Sequence, residues 1–139
     1  MLPRRSRTAA GRLPGRVADI DDQRRRVSDA RRNLDRAHDA HDEARRESAG
    51  AQERLGEAED ELTAAASGRD WLEEGETPAP AALDEAEARV GRAEDAWAER
   101  EAEAKSASGR RDEAAGAEDD ARASLDECNR DAPYDRKPK

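Results

Sequence analysis

His38-Asp39-Ala40-His41-Asp42 is the stretch of this chain that most resembles a site for chemistry. Two histidines three apart share a helix face, and imidazole and carboxylate are both zinc ligands. A zinc site needs three or four ligands, however, and the chain has no third histidine. His41 also falls on an apolar seam, where a polar residue sets register. No metal site is therefore expected. Cys128, the single cysteine, has no histidine near it in sequence to activate it, and one cysteine cannot form an internal disulfide. It reads as a small packed residue near a helix end, although a symmetric dimer would bring two such thiols together. Glu73-Glu74 and Asp119-Asp120 are solvated charges, because carboxylates are too abundant here for a pair to point to acid–base work. There is no Gly-rich phosphate loop and no serine-nucleophile motif. The expectation is a non-enzymatic protein with no catalytic residue, cofactor or metal.

The residues that carry information are structural. In steps of seven from Ile20 the chain reads Val27, Leu34, His41, Ser48, Leu55 and Leu62. Three residues after each stands Gln23, then Ala30, Ala37, Ala44, Ala51, Ala58 and Ala65. The same frame resumes at Leu83, Val90, Trp97 and Ala104, and again at Leu125. Its second position there reads Ala86, Ala93, Arg100, Ala107, Ala114, Ala121 and Cys128. This is a heptad seam, with larger residues at one core position and alanine at the other.

Composition agrees with long helices. Charged residues make up 44% and aromatic residues 2% of the 139, with no Phe, so an ordinary globular core is excluded. High charge with few aromatics also fits disorder, but sustained seven-residue periodicity in an Ala/Glu/Arg-rich chain favours helix. The net charge of −9 disfavours a nucleic-acid binder, since such binding rests on neutralising phosphates. The charge is uneven: five arginines (Arg4, Arg5, Arg7, Arg12 and Arg16) precede the first acid, Asp19.

The chain divides accordingly. Residues 1–16, with Pro3, Gly11, Pro14 and Gly15, read as a flexible basic arm, either a solvated tail or an electrostatic binding arm. A helical hairpin is expected over 17–130: a helix at 17–66, a connection at 67–80 and a second helix at 81–130. Asp19, Asp21 and Asp22 suit the first helix's N-terminus, and Gly68 suits a left-handed C′ stop. Thr77 can cap the second helix, with Pro78 and Pro80 near its first turn. Residues 131–139 form a tail. All six prolines fall outside the two expected helices. Gly50, Gly56, Gly91, Gly109 and Gly116 fall inside them, off the seam, and Ser106 to Arg111 is the expected fraying point. No apolar run is long enough for a membrane span, and no apolar h-region follows Arg4-Arg5. The expected compartment is the cytoplasm, or the exterior by a route without a cleavable signal.

Folding the hairpin at 67–80 sets Leu62 by Leu83, Leu55 by Val90, Ser48 by Trp97, His41 by Ala104 and Ile20 by Leu125. Trp71 and Leu72 would cover the turn end. Arg24 would face Arg122, Arg54 would face Arg89 and Glu59 would face Glu87, leaving Arg45 with Glu101 as the favourable pair. Val27 and Leu34 would lie opposite Glu118 and Arg111, so the end remote from the turn would be poorly filled. The seam holds nine larger apolar residues: Ile20, Val27, Leu34, Leu55, Leu62, Leu83, Val90, Trp97 and Leu125. That is little burial to set against the ordering of two long helices. The hairpin is therefore expected to pair through this seam, with itself as a four-helix bundle or with another helical chain.

A hairpin with tryptophan near its turn resembles the small helical proteins of actinobacterial type VII secretion, and the helical N-terminal modules of related polymorphic toxins. That family's turn motif is Trp-x-Gly; here Trp71-Leu72-Glu73 is followed by Gly75, two residues late. Its export signal is Tyr-x-x-x-Asp/Glu; here Tyr134 is followed four positions on by Pro138, so the signal is absent. The resemblance implies secretion-linked partner binding and assigns no particular residue. From another class, the arginine arm and tail imply a nucleic-acid-associated protein with the hairpin as spacer.

Overall fold

A computed structural model describes the backbone of residues 2–75 and 79–131, with side chains from Ala18 onward. The chain forms two helices, α1 (Leu2–Glu74) and α2 (Pro80–Asp131), packed against each other as an all-α helical hairpin. The bounds of α1 take in the segment expected as a flexible arm. The arm's arginine side chains, and the tail from residue 132, lie outside what is described.

The turn differs from expectation in a way that resets the pairing. Helix α1 does not stop at Ser67-Gly68 but runs on to Glu74, and no glycine among the described residues has a positive φ. The reason lies in the repeat. The next two frame positions after Leu62 and Ala65 are Arg69 and Leu72, and both are half-buried, so extending the helix covers Leu72. Arg69 also reaches Asp70 at 3.6 Å and Glu73 at 4.0 Å. Helix α1 closes where the Gly75 N–H donates to the Leu72 carbonyl at 3.3 Å. Trp71, one position off the frame, does not cover the turn end: it is 75% exposed.

Helix α2 opens with the Ala79 carbonyl accepting from the N–H groups of Ala82 and Leu83, at 3.0 and 3.1 Å. Ala79 is thus the N-cap and Pro80 the first helical residue, where its missing N–H costs nothing. Thr77, the expected cap, lies outside the described residues. Alanine has no side-chain acceptor for the free N–H groups of the first turn. Replacing the exposed Ala79 with Asp is expected to stabilise the fold by about 1 kcal/mol, read as a raised urea midpoint with an unchanged slope.

Contacts divide the chain into two compact units, Met1–His41 with Ala114–Lys139, and Asp42–Glu113. In the Asp42–Glu113 unit the core is a string of small residues. Ala51 packs with Ala104 and Ala107, flanked by Leu55. Ala65 packs with Val90 and Ala93, flanked by Leu62. Leu62 therefore meets residues seven and ten positions beyond Leu83, its expected neighbour. The displacement follows from the later turn, because moving the end of α1 towards the C-terminus moves every facing pair along α2. It also removes the expected Arg54–Arg89 conflict. Arg54 lies 3.9 Å from Glu103, Arg89 donates to Glu61 at 3.1 Å, and Arg110 lies 3.7 Å from Glu47. Glu101, expected beside Arg45, pairs instead with Lys105 at 3.0 Å. Ser106 to Arg111 does not fray: α2 is continuous there, and Ala107 is 2% exposed.

In the unit of Met1–His41 with Ala114–Lys139, Val27 and Ala30 are buried, and Ile20, Leu34, Leu125 and Cys128 are half-buried. The expected opposition of Val27 to Glu118 does not occur, because Glu118 takes other partners.

Candidate functional site

The nine seam residues named from sequence are all turned away from solvent to some degree. Val27 and Val90 are buried, while Ile20, Leu34, Leu55, Leu62, Leu83, Trp97 and Leu125 are half-buried. In the Asp42–Glu113 unit, Leu55, Leu62 and Val90 pack on the face shared by α1 and α2, so there the seam serves the hairpin's own closure. What it buries is small. None of the described side chains is completely buried, and the least exposed are Ser48, Ala51, Ala65 and Ala107. The larger seam residues keep part of their surface open beside this alanine floor.

One polar cluster interrupts the seam. Glu118 occupies the seam position of α2 that an aliphatic residue would normally fill, and it is 7% exposed. A carboxylate there is tolerable only if its oxygens are satisfied. Each oxygen takes an imidazole from α1: Oε1 lies 3.2 Å from His38 Nδ1, and Oε2 lies 2.6 Å from His41 Nδ1. From its own helix, Arg122 Nη2 donates to Oε1 at 3.1 Å. Donation from His41, then from His38, holds the Glu118 carboxyl below the usual carboxylate range, against the upward push of burial. The imidazole side chains differ in access, His41 at 23% exposed and His38 at 57%.

This cluster corrects the expected opposition of His41 to Ala104, since the histidine's partner lies fourteen positions further along α2. Sequence reasoning singled out both histidines but passed over Glu118 as a misfit. A signal was present: His41 and Glu118 are both polar residues on the same frame, one on each helix, and each satisfies the other. Among the described residues, no group of three or more His, Cys, Asp or Glu stands so as to hold a metal ion.

Two further features complete the surface. In the Asp42–Glu113 unit, an open groove of about 890 Å³ has Gly50, Ala51 and Ala107 along it and Arg46, Arg54, Arg100 and Arg110 around it. Glu103 engages two of these arginines, Arg100 at 3.0 Å and Arg54 at 3.9 Å. In the other unit, Cys128 borders a small depression with Arg26, Ala30, Asn33 and Ser124. No described helix is long and apolar enough to cross a membrane. No family model, curated protein or solved structure matches the chain.

Proposed function

We propose that this chain is a non-enzymatic helical interaction module that acts through coiled-coil packing. Its partner is a second copy of itself or another helical protein. The observation that carries this reading is the smallness of the core: the most buried side chains are three alanines and a serine. An alanine floor lets helices approach closely but releases little apolar surface from water. The half-buried aliphatics, Trp97 at the seam and the exposed Trp71 are the surface a further helix would cover, in the helix-in-groove mode. The charged outer faces keep the chain soluble until it meets that partner. The resemblance to type VII secretion proteins, carried by the hairpin and by Trp71 near its turn, supports a secretion-associated role, with the cytoplasm as the compartment and export without a cleavable signal as the alternative.

The test is circular dichroism against concentration, coupled to sedimentation equilibrium. Helicity and melting temperature are expected to rise with protein concentration through the low micromolar range, together with mass. A cooperatively folded monomer whose melting is independent of concentration would remove the reason for a partner.

A further inference from the structure

The helix faces of this hairpin repeat every seven residues, and alanine recurs along much of the second core position. Sliding one helix past the other by a heptad would therefore exchange alanine for alanine at many contacts, with little change in burial. Something must discriminate between such pairings. Aliphatic packing does so weakly here. A buried polar group does so strongly, because a pairing that strips it of its partners leaves an unsatisfied charge in the seam.

Glu118 with His38 and His41 meets that description. We propose that these three residues form a register latch: they fix which stretch of α1 pairs with which stretch of α2 in their unit, and acid releases them. Glu118 is buried on the frame of α2. Its two oxygens are shared out between two α1 donors a single helical turn apart, at 3.2 and 2.6 Å. Arg122, one turn along α2, closes the remaining side at 3.1 Å. Among the described residues, these three are the titratable and charged groups shown hydrogen-bonding to the carboxylate, two from the facing helix and one from its own. A slip of one heptad would put Arg31 and Leu34, or Arg45 and Ser48, in the places of His38 and His41, withdrawing both imidazoles at once and breaking the paired donation to the two oxygens.

Acid releases the latch through the carboxyl. The folded state holds the carboxylate form more tightly than the unfolded chain does. Its contribution is therefore complete above the unfolded carboxylate value of about 4.3 and is lost as pH falls through the lower folded value. A protonated carboxyl keeps less acceptor capacity and no charge, so it no longer holds the two imidazoles and Arg122 together.

The experiment compares the full chain with Glu118→Leu and Glu118→Gln, melted from pH 7 to pH 3. The other 34 acidic residues are common to all three proteins, so the difference between profiles reports Glu118 together with the two imidazoles it binds. Leucine suits the seam, so Glu118→Leu is expected to stay folded at pH 7. The wild-type melting temperature should fall relative to both variants below about pH 4.3, the ordinary carboxylate value. A second readout keeps the test independent of stability. At a pH where the imidazoles are neutral, nitrogen NMR should find His41 as the Nδ1–H tautomer, set by its acceptor. In Glu118→Leu that preference should disappear. Parallel pH profiles for the wild type and Glu118→Leu, or a His41 tautomer indifferent to the loss of Glu118, would overturn the latch.

Discussion

Replacing Gly56, Gly68, Gly91, Gly109 and Gly116 together with alanine is expected to raise the melting temperature by about 15 °C. Each lies within a continuous helix, and a methyl group added at each meets nothing within 4 Å. The gain at each is therefore the helix-propensity difference between glycine and alanine, about 1 kcal/mol. The sites are spaced along the helices and share no partners, so the gains add to about 4–5 kcal/mol. With an unfolding entropy of about 2.1 cal/mol/K per residue, that sum gives the temperature shift stated. Gly50 is left out, because a Cβ there would touch Arg54 Nη1 at 3.4 Å. The single variant Gly68→Ala carries the sharpest information. A glycine that ended α1 in the left-handed conformation would make alanine destabilising. A glycine inside the helix makes it stabilising, as the φ angles require. A lowered melting temperature for Gly68→Ala would mean that α1 stops where the sequence alone placed its end.

The opposite extreme is Ala65→Asp. Ala65 is 2% exposed and packs with Val90 and Ala93. Aspartate is too short to carry its carboxylate out to water from that position, as a longer side chain would by snorkelling. The penalty for a buried, unpaired carboxylate is several kcal/mol, a large part of what a domain of this size has to lose. Far-UV circular dichroism at pH 7 should show loss of most helical signal, partly restored in acid as the new carboxyl is neutralised. The exposed Ala96→Asp serves as control, with only the propensity change of at most about 0.7 kcal/mol. Equal effects at the two positions would mean that Ala65, Val90 and Ala93 do not form a packed core.

Both variants rest on a frame that was fully legible in the sequence. Every position on the seven-residue repeat from Ile20 to Leu72, and from Leu83 to Cys128, is buried or half-buried. That follows from helix geometry alone, since a heptad pattern keeps one stripe of side chains on one side of a helix. The end of α1 was less legible. Ser67-Gly68 is a good local stop signal, but a local signal competes with the burial gained by continuing, and Leu72 lay just beyond it. Placing the turn too early then put Arg54 against Arg89 and left Glu118 facing Val27. The conflicts were symptoms of the wrong turn rather than of the wrong fold.

Composition and periodicity were enough to determine that this chain is two long helices with a stripe of alanine and sparse aliphatics. They also determined that an ordinary aromatic-rich core is out of reach. Only the tertiary structure decided where the chain turns, which residues face each other, and that Glu118 is bound by His38 and His41. The physical reason is that a repeat is indifferent to translation by its own period. Its pattern names the face of each helix, while the pairing of two such faces depends on the turn and on the few polar residues that do not repeat.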